Sequence, residues 1–402
     1  MSLDFTALGK QVRQMSGSAA GSRLDTASRT QQVAARYRSA AAETERWAQA
    51  VNLSRETASW LFALPVEPLD TVRPLPTCPA SYALVATDGS QIDLDRHGTV
   101  ACALVNVGRV FLRYGHKPLA RLNSQPYLYY TEEDLYLTDG LRRVAIEGNY
   151  LAARRDVEEG VALADLADEM LDGSLPALAL QDGTLVRWAL ANAERFVQDY
   201  FLQRYLSYLE RMRKSGVPVA SYISRPRAPE VAGTMRLMFC PDVDVAAGKG
   251  ARCSECSDIR AHREPSCKIC EGLIDADIFA ERLTEGQRGP LFASMSRINV
   301  ECYGEHLIHF FLIRVGRELA RVEVPRWVAT DAEQLDRVHT LVYDQCVRGD
   351  GYPVALARAH EQAIVRSPER RAFQHMVEGS LYRAEVAASA SMKRESKEFT
   401  RG

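Results

Sequence analysis

The sequence lacks the long apolar segments, the excess of one charge and the signal peptide that define several large classes of protein. In 402 residues, no apolar run approaches the roughly 18–20 residues that span a bilayer. The formal net charge is −2, so no global basic field marks a nucleic-acid-binding protein, although a basic patch can be local. Residues 1–17 contain neither a continuous apolar core nor a small-residue cleavage site. We therefore expect a cytoplasmic protein with no membrane partner.

Common catalytic and nucleotide-binding motifs are also missing. There is no GxxxxGK[S/T] loop, no GxGxxG turn and no GxSxG nucleophile motif. The composition is that of a globular protein, with 46% hydrophobic and 25% charged residues. The nine cysteines, an odd number without a signal peptide, indicate a reducing compartment in which thiols stay reduced or bind metal.

Short apolar runs that alternate with long helical segments predict an α/β fold, a mixed sheet with helices packed on it. Residues 1–65 favour helix, and five prolines within 64–79 predict an irregular linker. We expect a helical arm and Pro-rich linker over 1–79, a main domain over 80–392 and a short charged tail over 393–402. The arm is expected to serve packing or dimerisation.

Two apolar runs end in an Asp-Gly dipeptide. Residues 81–92 (SYALVATDGSQI) predict a buried strand that stops at a glycine turn and leaves Asp88 at a sheet edge. Residues 98–114 then predict two strands with a turn near 106–108. The run 175–180 is followed in the same way by Asp182 and Gly183. Asp-Gly is also a common turn dipeptide, and for either corner alone that explanation is the more frequent one.

Carboxylates at two strand ends suggest a metal site, because hard divalent cations prefer oxygen ligands and strands position them rigidly. The helix before Asp182 offers a third carboxylate at Glu158 or Glu159. The alternative is that these glutamates belong to the solvated face of an amphipathic helix.

Tyr352 and His360 lie eight residues apart, about two helical turns, so that both can face one side of a helix. His360 is a candidate for metal binding or proton transfer, although a lone histidine is more often structural. Arg225 and Arg227 follow a predicted strand and, with Lys249, are candidates for contacts to phosphate. Strand ends are often simply polar.

The strongest local motif is a pair of CxxC knuckles, Cys253–x2–Cys256 and Cys267–x2–Cys270. Four thiols at this spacing predict tetrahedral zinc, and since all four positions are filled the metal would be structural. We expect a small zinc-ribbon-like insertion over 240–275. The remaining cysteines are expected to be core or surface thiols: Cys78, Cys102, Cys240, Cys302 and Cys346.

Five segments in order resemble the NurA family of DNA-repair nucleases over residues 81–365: LVATDGSQI, ALQDGTL, VPVASYISRPR, FFLIRVGRELARVEVPRWVA and YPVALARAHEQAIV. The resemblance implies an RNase H-like core in which acidic residues bind two manganese ions, or magnesium. It implies a 5′-to-3′ exonuclease on single- and double-stranded DNA and an endonuclease on single strands. It also implies a homodimer that works with a HerA-type hexameric ATPase in DNA end resection and double-strand-break repair.

Carried over residue by residue, the resemblance makes Asp88 and Asp182 metal ligands and makes Tyr352 and His360 the C-terminal pair of the site. Glu159 fits the family pattern ExxxLAxLA best, and its neighbour Glu158 stays open.

Ser90 is a candidate for contact with DNA.

Two rival functions remain: a non-enzymatic DNA-end or scaffold module with a zinc ribbon, and an RNase H-like enzyme that acts on RNA.

Overall fold

A computed structural model of the chain describes residues 3–94 and 100–384, without the side chains of 17–24. The predicted tail, 393–402, lies outside the described residues. The helices are α1 Phe5–Ser39, α2 Thr44–Ser54, α3 Glu132–Leu135, α4 Asn149–Met170, α5 Arg195–Ser215, α6 Glu230–Phe239, α7 Ser257–Arg260, α8 Asp275–Phe279, α9 Arg297–Cys302, α10 Arg326–Ala329, α11 Ala332–Arg348, α12 Val354–Ala363 and α13 Ser367–Arg383. Among these helices, none is both long and apolar enough to cross a membrane.

The strands confirm the mixed α/β class. They are β1 Ala63–Pro65, β2 Tyr82–Ile92, β3 Ala103–Tyr114, β4 Leu119–Tyr129, β5 Tyr136–Asp139, β6 Arg142–Ala145, β7 Ala177–Asp182, β8 Val219–Ile223, β9 Phe292–Ser294, β10 Ile308–Val315 and β11 Glu318–Pro325. The strand order is given below for each unit, and β5 and β6 form a separate hairpin.

The described residues divide into two units. Unit 1 is built from those of Met1–Leu75, Ile223–Val300 and His309–Val322. Unit 2 is built from those of Pro76–Tyr222, Glu301–Ile308 and Glu323–Gly402. The predicted domain limits, 1–79, 80–392 and 240–275, stay predictions.

In unit 2 the strand order is β8-β7-β2-β3-β4. Strand β2 pairs antiparallel with β3 and parallel with β7, and β7 pairs parallel with β8. Parallel neighbours need a crossover connection, and α5 supplies it between β7 and β8. Helices α4 and α12 both pack against β2 and β3, so two helices that are distant in sequence meet the same strands.

The predicted glycine turns at 87–90 and 106–108 are wrong. Strand β2 continues to Ile92 and β3 is unbroken, with Asp88 paired to Gly108 in mid-strand. A Cβ atom added at Gly89 would lie 2.4 Å from Glu159 Oε1, and one added at Gly108 would lie 2.2 Å from the Ala359 carbonyl oxygen. These glycines therefore permit the close approach of α4 and α12 rather than a turn.

The second Asp-Gly corner is confirmed as a strand end. Strand β7 stops at Asp182, and Gly183 has a φ of +75°, in the left-handed region that favours glycine. The Gly183 N–H donates to the carbonyl oxygen of Tyr222 in β8 at 3.1 Å. The chain thus turns away directly after the carboxylate.

Unit 1 contains α1 and α2, which confirms the helical N-terminal region. Its strand order is β1-β9-β10-β11, with β11 in this unit only as far as Val322, so that Glu323 belongs to unit 2. The predicted irregular linker over 64–79 is wrong at its start, because Pro65 ends β1 and pairs with Phe292. Strand β1 is at the edge of the sheet, where a missing N–H is tolerated. Strands β10 and β11 are neighbours joined across Gly316, whose φ is +55°, as the hairpin prediction requires.

Candidate active site

Asp88 and Asp182 lie side by side on adjacent strands of unit 2. The parallel register ends at the pair Thr87 and Gln181, and each aspartate is the next residue along its strand. Loss of water around the carboxylate raises the pKa of Asp182, the Tyr352 hydroxyl lowers it, and the charge of Asp88 raises it again. The two carboxylates are therefore close enough to repel each other, which is the arrangement that a cation relieves.

The predicted C-terminal pair contacts these two aspartates. His360 in α12 has Nδ1 2.8 Å from Asp88 Oδ2, and its side chain is 66% exposed. The Tyr352 hydroxyl, just before α12, donates to Asp182 Oδ1 at 2.8 Å. The Tyr352 ring packs edge-on against Tyr222 of β8, with centroids 5.6 Å apart. Each aspartate is thus oriented by one residue of the pair.

The two helix glutamates point to different neighbours. Glu158 Oε1 lies 3.1 Å from Arg204 Nη2 of α5, in an ion pair that ties α4 to α5. Burial raises the pKa of Glu159 well above its ordinary value, with Asp156 and Asp88 also raising it and Arg155 and Arg187 lowering it. Glu159 is thus the glutamate whose charge acts on Asp88, whereas Glu158 is paired with Arg204, and the assignment of a metal ligand stays a prediction.

A basic residue that the sequence reasoning missed lies within ion-pair distance of Glu159. Arg155 Nε lies 3.1 Å from Glu159 Oε1, one helical turn earlier, and Arg155 Nη2 lies 3.1 Å from Asp156 Oδ1. Asp156 in turn pairs with the buried Arg187 at 2.7 Å. The (i, i+4) spacing of Arg155 and Glu159 was the available signal.

A second missed residue holds the loop after Asp182. The buried Glu323 of β11 accepts hydrogen bonds from the backbone N–H of Leu185 at 2.7 Å and from the Thr184 hydroxyl at 2.9 Å. Because Glu323 is far away in sequence, no local pattern could have indicated it. Its carboxylate fixes the turn that presents Asp182.

The donor chemistry of this site fits a hard divalent cation. Asp88, Asp182 and Glu159 supply only oxygen ligands, as Mn²⁺ and Mg²⁺ prefer. Within residues 3–94 and 100–384, no three His, Cys, Asp or Glu side chains already form a group that could hold a metal ion. His360, Tyr352 and Arg155 contact the three carboxylates instead. Ion binding would exchange some of these contacts for bonds to the metal.

The predicted DNA-contact residues lie in both units. Ser90 in unit 2 donates its hydroxyl hydrogen to the Ala363 carbonyl oxygen at the end of α12. Arg225 and Arg227 are exposed residues of unit 1, as is Lys249. Arg225 has a φ of +47°. Their role in binding DNA stays a prediction.

The predicted zinc ligands separate into two environments within unit 1. Cys253, Cys256 and Cys267 line one cavity of about 160 Å³, together with Cys240. Cys270 is 2% exposed and belongs to the apolar core. Burial raises the pKa of the Cys270 thiol to about 12. The zinc ribbon stays a prediction.

Comparison with known families matches this part of the chain. The model of the NurA domain matches residues 82–365, more than half of the sequence, and the matched region contains all the residues of the carboxylate site. No curated protein is significantly similar to the chain.

Proposed function

Because the chain belongs to the NurA family of nucleases, we propose that it is a metal-dependent deoxyribonuclease of DNA end resection and double-strand-break repair. The observation that carries the proposal is the placement of Asp88 and Asp182 on adjacent parallel strands, each directly after the last paired residues, with His360 and Tyr352 on the two carboxylates. The proposed activities are a 5′-to-3′ exonuclease on single- and double-stranded DNA and an endonuclease on single strands.

Asp88, Asp182 and Glu159 would hold Mn²⁺, or Mg²⁺, in an RNase H-like core. Bound ions of this kind supply an activated water and stabilise charge on the leaving 3′ oxygen. The protein contributes rigid placement: two ligands on sheet strands and one on a buried helix turn. No side-chain nucleophile is required.

His360 and Tyr352 have different proposed roles. With Nδ1 bonded to Asp88, His360 presents Nε2 on an exposed ring, where it can take a proton from the attacking water or act as a metal ligand. Tyr352 donates a hydrogen bond to Asp182, which orients that carboxylate and partly offsets the rise of its pKa.

We propose that a partner protein delivers the DNA. A net charge of −2 gives little long-range attraction for a polyanion, so we include a HerA-type hexameric ATPase that moves DNA into a homodimer of this chain. Local cations would hold the backbone. In unit 2, Arg370 of α13 approaches the Gln91 carbonyl oxygen next to Ser90 at 3.4 Å, and Arg225 and Arg227 are the candidates in unit 1.

The adjacent glutamates offer a matched test. End-labelled single-stranded DNA is incubated with Mn²⁺ and wild-type protein, Glu159→Gln or Glu158→Gln, with and without a HerA-type ATPase. We expect degradation by the wild type and by Glu158→Gln, and a loss of about 10³-fold in Glu159→Gln, since several kcal/mol of transition-state stabilisation depend on the metal ligands.

The outcomes separate the rival functions. No degradation by the wild type, alone or with the ATPase, would leave a non-enzymatic DNA-end module. Faster cleavage of a matched RNA would favour an RNA-directed enzyme. If Glu159→Gln and Glu158→Gln cleave DNA at equal rates, Glu159 is not a metal ligand, and the proposed nuclease activity is unaffected by that result.

A further inference from the structure

A cavity in unit 1 is lined by four cysteines from three separate segments. Cys240 comes directly after α6, Cys253 and Cys256 come from the first knuckle, and Cys267 comes from the second. The four thiols therefore open onto the same small space.

Two aspartates hold the segments that carry these thiols. Asp242 Oδ2 accepts a hydrogen bond from the Ser257 N–H at 3.0 Å, which ties the Cys240 segment to the residue after Cys256. Asp258 Oδ2 accepts from both the N–H and the hydroxyl of Ser266, which ties the first knuckle to the residue before Cys267. The backbone around the cavity is thus fixed by contacts that need no metal.

The first knuckle is also anchored to α2. The Ala251 N–H donates to the Ser54 hydroxyl at 2.9 Å, and the Ala251 carbonyl oxygen accepts from the Thr57 hydroxyl at 2.7 Å. A Cβ atom added at Gly250 would lie 2.3 Å from the Leu53 carbonyl oxygen, so the chain passes close to the helix there. Because these contacts hold the backbone, the sulfur atoms would reach one ion by rotation of the cysteine side chains.

Cys270 has a different setting. It does not line this cavity, and it lies in the apolar core with Leu273 and Ile278. Cys240, by contrast, lines the cavity together with Arg236.

We propose that Cys240, Cys253, Cys256 and Cys267 bind one structural zinc ion, with Cys240 in the place that the CxxC spacing alone assigns to Cys270. Four thiolates, which are soft ligands that zinc accepts, form a closed tetrahedral site and leave no position for water. The proposal is independent of the nuclease activity. The ion would join α6 to both knuckles.

The test uses the full chain, purified under reducing conditions without chelator and then supplied with zinc. Bound zinc is measured by mass spectrometry of the metal, and Co²⁺ replacement is followed by its thiolate charge-transfer absorption. We expect about one zinc per wild-type chain, no retained zinc in Cys240→Ser or Cys253→Ser, and full zinc in Cys270→Ala and in Cys78→Ser, an exposed thiol of unit 2.

Cys240→His guards against loss of fold in the serine variant. Since histidine is itself a zinc ligand, this variant should keep the ion and lose one thiolate's share of the Co²⁺ charge-transfer absorption. Full zinc retention in Cys240→Ser, an unchanged Co²⁺ spectrum in Cys240→His, or loss of zinc in a folded Cys270→Ala would overturn the assignment. A wild-type chain that binds no zinc would overturn the site itself.

Discussion

Two Asp-Gly dipeptides carry the candidate carboxylates, and the glycine has a different role in each. Gly183 follows Asp182 with a φ of +75°, so its role is conformational. Gly89 follows Asp88 inside β2, and its missing side chain leaves space for Glu159 and Arg155 of α4. The same dipeptide thus ends a strand in one place and admits a helix in the other. In the second case the glycine also sets the position of a third carboxylate.

Removing the charge of either aspartate tests what the two dipeptides share. We expect Asp88→Asn and Asp182→Asn each to lower the Mn²⁺-dependent cleavage rate by about 10³-fold, because each removes a metal ligand. Single-turnover cleavage of labelled single-stranded DNA measures this loss. Asp93→Asn, an exposed residue just beyond β2, is the control and should keep the wild-type rate. A large loss of cleavage rate in only one of the two variants would contradict a metal site shared by both aspartates.

Alanine at the two glycines tests what separates them. Gly89→Ala should displace Glu159 and cost about 1–3 kcal/mol through overpacking, and its cleavage rate should fall by about 10²-fold, as misplaced catalytic groups do. No described atom lies within 4 Å of a Cβ atom added at Gly183. Gly183→Ala should therefore cost about 1–2 kcal/mol in backbone strain and keep most activity.

Urea unfolding and cleavage assays on the same samples measure both effects. Equal loss of activity in Gly89→Ala and Gly183→Ala would mean that Gly89 has no special relation to Glu159.

The residues that orient the two aspartates should have smaller effects. Tyr352→Phe removes the hydrogen bond to Asp182, and His360→Gln alters the contact with Asp88. We expect losses of about 10–100-fold in Mn²⁺ affinity or cleavage rate, the range found for groups that orient metal ligands. If the imidazole transfers a proton, His360→Gln should lower the cleavage rate more than it lowers the Mn²⁺ affinity. Wild-type behaviour of both variants would contradict these roles.

The pH dependence of stability should be the smallest effect. Loss of water raises the pKa of Asp182, and burial raises that of Glu159, so the folded chain holds protons that the unfolded chain releases. Without metal, stability should therefore fall as pH rises from the ordinary carboxyl range through these raised values. Ligands must lose their protons to bind Mn²⁺, so the Mn²⁺-induced rise in Tm should grow over the same interval.

Thermal melting between about pH 4 and pH 8 measures both slopes. Asp182→Asn should flatten each of them, and a Mn²⁺ effect that does not change with pH would contradict the raised pKa values.

Local sequence patterns sufficed for features that depend on neighbours along the chain. The apolar run before Asp182 and its following glycine predict a strand end, which the structure has. Tyr352 and His360 both contact the aspartates, although Tyr352 lies just before α12 and the predicted shared helix face is wrong. The hairpin across Gly316 follows from two apolar runs around a turn residue.

Patterns failed where distant packing decides. Gly89 and Gly108 looked like turn residues, because the helices that need their missing side chains lie far away in sequence. Periodicity cannot choose between the adjacent Glu158 and Glu159, and the choice depends on Arg204 in another helix. Glu323 reaches the Asp182 loop from a remote strand, so no local signal exists for it.

Manganese titration asks most directly whether Asp88 and Asp182 serve one site. The free ion is counted by electron paramagnetic resonance as Mn²⁺ is added to the wild type, Asp88→Asn, Asp182→Asn and the double variant. We expect each single variant to weaken the same binding step and the double variant to abolish it, while Asp93→Asn binds as the wild type does. Unchanged Mn²⁺ binding in both single variants would contradict a shared metal site at the two aspartates.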